Sequence, residues 1–301
     1  MKKKIISWIA AVVLASPATA AGIKILNSAA HYPEGPLWYQ GKLYYVEYDR
    51  NTVTVWDGRK NAVFISDPGC GPSAVIVNSA GEFLTTCYDN ASIGRAAPDG
   101  RLLPRYTQTE DGQKFIAPND FAPDGHGGIY FSDSGHDGKL ADGKVFYIDA
   151  AGKIKLVADN LANANGLAVS RDGAILYVIE TENGRLLRFT IAAGPVLSNR
   201  QVFVDLNELT GHVTPVFPDG MKIDSKGQIY IGQNSRTSNA PLMGEIFVVD
   251  GHAKLLRTLK LPSMQVPNLT FSPDEKTVYV TAVDQIDKPP HLGKIYAIAN
   301  R

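Results

Sequence analysis

The stretch Asn165-Gly-Leu-Ala-Val-Ser-Arg-Asp-Gly-Ala-Ile-Leu-Tyr-Val178 decides the fold. A polar residue opens a short apolar run, Gly173 marks a turn, and a second run rich in β-branched and aromatic side chains follows. That is the signature of two antiparallel strands joined by a tight connection. The pattern recurs on both sides of it. Upstream stand Glu34-Gly-Pro-Leu-Trp38 with Lys42-Leu-Tyr-Tyr-Val46, Ser73-Ala-Val-Ile-Val77 with Glu82-Phe-Leu-Thr-Thr86, and Asn119-Asp-Phe-Ala-Pro123 with Gly128-Ile-Tyr-Phe-Ser132. Downstream stand Asp219-Gly-Met-Lys-Ile223 with Gln228-Ile-Tyr-Ile-Gly232, and Pro267-Asn-Leu-Thr-Phe271 with Lys276-Thr-Val-Tyr-Val280. Gly81, Gly127, Gly173 and Gly227 each fall eight residues after a lead position, so the turn keeps its phase.

Lead positions at 34, 73, 119, 165, 219 and 267 are 39 to 54 residues apart. A four-stranded propeller blade repeats every ~40–50 residues. No helical periodicity is sustained in the same region. The expected fold is all-β: a six-bladed β-propeller with four-stranded antiparallel blades, forming one domain over residues 21–301. Ile23 to Leu26 would supply a closing strand to the last blade.

Residues 1–20 read differently. Lys2, Lys3 and Lys4 precede an apolar run, and Ala18-Thr19-Ala20 follows as a small-residue cleavage pattern, the layout of a signal peptide. The apolar run is too short to span a bilayer. The expectation is a periplasmic or secreted protein. Acidic and basic residues balance at 30 each, with no basic stripe, so neither nucleic acid nor a membrane is expected as a partner. A small-molecule substrate and a monomer are expected instead. In an oxidising compartment Cys70 and Cys87 have two open readings, a disulfide or two buried thiols.

In a propeller the lead residues begin the innermost strands and ring the central channel at one face. Glu34, Ser73, Asn119, Asn165, Asp219 and Pro267 form that ring. Carboxylates and carboxamides converging there are costly unless paired, and a hard cation on oxygen ligands relieves the cost. Glu47, Cys87, Asp133, Glu180, Gln233 and Thr281 end the second strands. Asp133 and Glu180 are candidates there for orienting ligands, contacting substrate or moving protons.

At this point Glu34-Gly-Pro-Leu-Trp38, Pro118-Asn-Asp120, Asn165-Gly-Leu167, Pro218-Asp-Gly-Met221 and Asn268-Leu-Thr-Phe271 resemble the gluconolactonase, regucalcin and luciferin-regenerating enzyme family, in order and spacing, over nearly the whole chain after residue 20. The resemblance implies a six-bladed propeller with one divalent cation, usually Ca²⁺, with Zn²⁺ or Mn²⁺ as substitutes. It implies Glu34, Asn165 and Asp219 as metal ligands and Asn119 at the same site, contacting metal or substrate. Family lactonases often carry Arg two residues before the position of Asn119, where this chain has Ala117, which sets it apart from sugar-lactone specificity.

Other motifs carry less. Gly69-Cys-Gly71-Pro-Ser-Ala74 matches a loose dinucleotide fingerprint, but a strand rather than a helix is expected after it. Asp133, Asp137 and Asp142 lack EF-hand order. The six histidines show no metal-binding spacing, though His31 and His212 flank ring residues. GxSxG, HExxH and P-loop patterns are absent. The expected activity is metal-dependent hydrolysis of a lactone or other ester, with Asp219 as the base that takes the proton from water. A phosphotriesterase-like hydrolase, a binding propeller with a structural metal, and a strictosidine-synthase-like propeller are the alternatives.

Overall fold

The computed structural model describes residues 22–192, 195–234 and 243–301; the signal-peptide reading of residues 1–20 falls outside them. Four sheets have four strands and one has eight. Among the described residues five runs of four consecutive strands are antiparallel meanders, as in Pro118–Pro123, Ile129–Asp133, Gly143–Ile148 and Ile154–Leu161, and the last three strands form a sixth. The inner strands are Pro33–Tyr39, Pro72–Val77, Pro118–Pro123, Ala164–Val169, Phe217–Ile223 and Gln265–Phe271. Each touches the next, and the last touches the first, so they close around an axis. The arrangement is all-β and propeller-like.

Sheet count departs from six separate four-stranded units. The first two meanders join into the eight-stranded sheet through one parallel pair, Gly35 with Ala74. The cause is close approach: a Cβ on Gly35 would lie 2.3 Å from the Ala74 Cα, so nothing separates the two backbones. The expected closing strand is present. Ile23–His31 pairs antiparallel with the C-terminal strand Leu292–Ala299 and completes the sheet of the last repeat.

The repeated turn glycines take positive φ: +80° at Gly81, +99° at Gly127, +72° at Gly173 and +77° at Gly227. Side chains are disfavoured there, which fixes the phase seen in sequence. The second strands carry the core, with Tyr45, Phe131 and Tyr230 wholly buried. Stacked sheets with such rings between them hold the six inner strands at fixed spacing.

Candidate active site

Each inner strand begins with a break in register: between Glu34 and Leu37, Pro72 and Ala74, Pro118 and Phe121, Ala164 and Leu167, Pro218 and Met221, and Gln265 and Asn268. Lead residues therefore sit in β-bulges, which re-aim side chains out of the ordinary alternation. Five of the six leads, Glu34, Ser73, Asn119, Asn165 and Asp219, line one cavity of about 360 Å³. Pro267 does not; Gln265 of the same strand does.

The position after each lead forms a second ring deeper in the channel: Gly35, Ala74, Asp120, Gly166, Gly220 and Asn268. Four of these are small because the backbones nearly touch. A Cβ on Gly166 would lie 2.4 Å from the Asp219 carbonyl oxygen, and one on Gly220 would lie 2.2 Å from the Asn268 side chain. Asp120 and Asn268 fill the space the glycines leave. Asn268 Nδ2 donates to Asp120 Oδ2 at 3.2 Å, and Lys222 Nζ lies 3.5 Å from the same oxygen.

Glu34 and Asp219 are both buried beside this plug. Burial and the neighbouring Asp219 carboxylate push the Glu34 carboxyl well above its usual range, with Asp120 adding to the effect. The Gly35 amide, donating to Glu34 Oε2 at 2.9 Å, and the Lys222 charge oppose the shift without cancelling it. Asn234 Nδ2 donates to Asp219 Oδ2. Two buried oxygens at the same place, Asn165 Oδ1 and Asn234 Oδ1, have no hydrogen-bond partner. Unsatisfied buried acceptors beside two carboxylates are the donor set a hard divalent cation takes, so the residues present fit such an ion.

Asp133 and Glu180, expected near substrate, do not line the cavity. Asp133 is fully buried and accepts from the amides of Ile116 at 2.7 Å and Ala117 at 2.9 Å. Glu180 accepts from the Ala162 amide at 3.0 Å and pairs with Arg185 and Arg200. Their oxygens are thus committed to the segments that lead into the third and fourth inner strands. Glu47 holds the His31 amide the same way at 3.0 Å. At the matching place in the second repeat Cys70 and Cys87 form a disulfide, which resolves the two cysteine readings. A strand, Pro72–Val77, follows the glycines of the loose dinucleotide fingerprint.

His31 contacts Arg50 and His212 pairs with Glu245, and neither lines the cavity. The cavity wall instead holds residues at two phases that the sequence reading did not use, Tyr32 and Phe217 two residues before a lead and Tyr48 and Tyr88 one residue past a second strand, together with His291. Tyr32 adopts a left-handed φ of +46°, uncommon for a bulky residue and concentrated at functional sites. Burial, then Asp219 and Glu34, push its phenol far above the ordinary value, so the hydroxyl keeps its proton.

The SMP-30/Gluconolactonase/LRE-like region matches residues 32–284 of the chain. A pentonolactonase of Haloferax volcanii is 26% identical over 263 residues, covering 86% of this chain and 84% of its own. The solved luciferin-regenerating enzyme superposes with a TM-score of 0.75 at 22% identity, covering 93% of this chain and 96% of its own. A calcium-binding regucalcin of Agrobacterium tumefaciens gives 0.75 at 17% identity, with 92% and 93% covered.

Proposed function

Because the chain belongs to the SMP-30/gluconolactonase/LRE-like family, of lactonase-like enzymes, we propose that it is an exported, divalent-cation-dependent lactonase. In this reading the eight-stranded sheet is two blades sharing a seam, and the propeller has six. The observation that carries the metal is the buried convergence of Glu34, Asp219 and the unpartnered Asn165 Oδ1 in one cavity. Glu34, Asn165 and Asp219 are the proposed ligands, with Ca²⁺ as the ion and Zn²⁺ or Mn²⁺ as substitutes.

A cation held there supplies Lewis acidity toward a lactone carbonyl oxygen. The chain's own groups do the rest. Asn119 lines the same cavity and would orient the substrate ring. Asp219, held by Asn234 at Oδ2, would accept the proton of the attacking water. Water adds to the carbonyl carbon, the ring C–O bond breaks, and the ring oxygen leaves as a hydroxyl after receiving that proton. The product is a hydroxy acid. Asp133 and Glu180 are placed as braces for the entry segments rather than as substrate contacts.

Export is supported by the signal-like residues 1–20 and by the disulfide, which persists in oxidising compartments. The active species is proposed to be a monomer acting on a small molecule. Calorimetric titration of chelator-treated protein with Ca²⁺ tests the site: one ion should bind per chain, and Asp219→Asn or Asn165→Ala should weaken it at least tenfold. Unaltered binding in both variants would place the ion elsewhere.

A further inference from the structure

Among the described residues, six hydroxyl-bearing side chains line the cavity of Glu34 and Asp219: Tyr32, Tyr48, Ser73, Tyr88, Ser134 and Thr181. Four of the hydroxyls are committed to the protein itself. Tyr48 donates to Asp89 Oδ1, and Tyr88 donates to Asp137 Oδ1 at 3.2 Å. Ser134 Oγ donates to the Ala164 carbonyl at 3.0 Å, and Thr181 Oγ1 to the Pro218 carbonyl at 2.7 Å. The hydroxyls of Tyr32 and Ser73 make no hydrogen bond to the protein among the described residues.

Ser73 is short and turns freely, whereas Tyr32 is held in place. Its amide donates to the His291 carbonyl at 2.6 Å, and its carbonyl accepts from the Tyr48 amide at 3.1 Å. Its ring packs between Tyr48, with centroids 5.7 Å apart, and His291 at 5.5 Å. Asp49 fixes His291 in turn, with both carboxylate oxygens 3.0 Å from Nδ1. The left-handed φ of +46° at Tyr32 is one that a bulky residue keeps only where its surroundings impose it. After burial, Asp219 and then Glu34 act most strongly on the phenol, ahead of Tyr48 and Asp49. The free hydroxyl therefore belongs to the carboxylate end of the cavity.

Opening a lactone places negative charge on two oxygens in turn. The carbonyl oxygen is the one that a cation on Glu34, Asn165 and Asp219 would hold. The ring oxygen gains its charge as the C–O bond breaks, and among the described residues no Lys or Arg lines the cavity to meet it. We propose that Tyr32 is a catalytic residue, its hydroxyl donating a hydrogen bond to the ring oxygen as that oxygen leaves. This rests on the lactonase reading of the same site. The electron pair of the broken bond goes to the ring oxygen, and the proton that Asp219 took from water follows it. Tyr32 keeps its own proton throughout. Ser73, Asn119 and Asn163 remain for the rest of a polar substrate.

The test is the dependence on leaving group. Tyr32→Phe keeps the ring contacts, so melting temperature and Ca²⁺ affinity should hold. Its kcat for δ-valerolactone, which expels an alkoxide, should fall about 10- to 100-fold, the range for losing a hydrogen bond to a charged oxygen. Its kcat for dihydrocoumarin should change little, because a phenolate leaves without such help. Equal falls for the two lactones, or none for δ-valerolactone, would overturn the role of Tyr32 while the lactonase stands. Product binding separates the two claims without turnover. Ca²⁺-loaded protein should bind 5-hydroxyvalerate more tightly than valerate, which lacks the hydroxyl derived from the ring oxygen, and Tyr32→Phe should lose that preference. If the preference behaves so but no lactone is opened, the contact stands and the lactonase reading fails alone. No preference in the wild type, or one retained in Tyr32→Phe, would overturn the contact.

Discussion

Asn165 and Asp219 each stand one residue ahead of a glycine, and the reason is steric. Gly166 packs against the Asp219 carbonyl with no space for a Cβ, and Gly220 packs against the Asn268 amide. Read alone, Asn-Gly suggests a hairpin turn; here it begins an inner strand, because only a glycine lets adjacent inner strands approach closely enough for their lead side chains to converge. Forcing a methyl group into such a contact costs about 1–3 kcal/mol. Gly166→Ala is therefore expected to lose that much stability in denaturant unfolding and to bind Ca²⁺ more weakly, since the backbone that must shift carries Asp219. An unchanged midpoint and unchanged affinity would show that the close approach is not what places the ligands.

At the scale of the strand pair, each brace ties the end of a second strand to the amide three residues before a lead. Glu47 holds His31, Asp133 holds Ile116, and Glu180 holds Ala162. Cys70 and Cys87 occupy the same two places and make the tie covalent. Burial alone would raise the Glu180 carboxyl; the Ala162 amide, Arg185 and Asn183 outweigh it and hold the carboxyl below its ordinary range. A carboxyl lowered by folding contributes stability at neutral pH, and that contribution is lost as pH falls through the lowered value. Glu180→Gln should cost about 1–3 kcal/mol at pH 7, and the difference from wild type should narrow below about pH 4. Denaturant unfolding at several pH values checks this, and a pH-independent difference would contradict it. Sequence phase located these carboxylates without revealing what they hold. A residue's number says which end of a strand it occupies, whereas its hydrogen-bond partners come from a segment folded back against it.

Across the whole molecule, the channel is divided. The Asp120–Asn268–Lys222 plug separates the cavity of Glu34 and Asp219 from a second one of about 470 Å³, walled by Leu37, Val75, Phe121, Leu167 and Ile223. The repeat phase, the turn glycines, the closing strand and the cavity-lining leads were all legible in sequence, because a repeat writes the same steric demand several times. The aromatic wall was not. Tyr32 stands two residues before a lead and Tyr48 and Tyr88 one residue past a second strand, phases that the repeat keeps, but the residue type there changes from repeat to repeat, so no shared pattern marks them as cavity wall; His291 keeps no such phase. The proposed lactonase requires a cation on Glu34, Asn165 and Asp219. Its most direct test is lactone hydrolysis by purified protein in excess chelator, then with Ca²⁺ restored, beside Asp219→Asn under the same conditions. Turnover should disappear in chelator, return with Ca²⁺, and be absent from the variant after correction for spontaneous ring opening. Full turnover in chelator, or in Asp219→Asn, would contradict it.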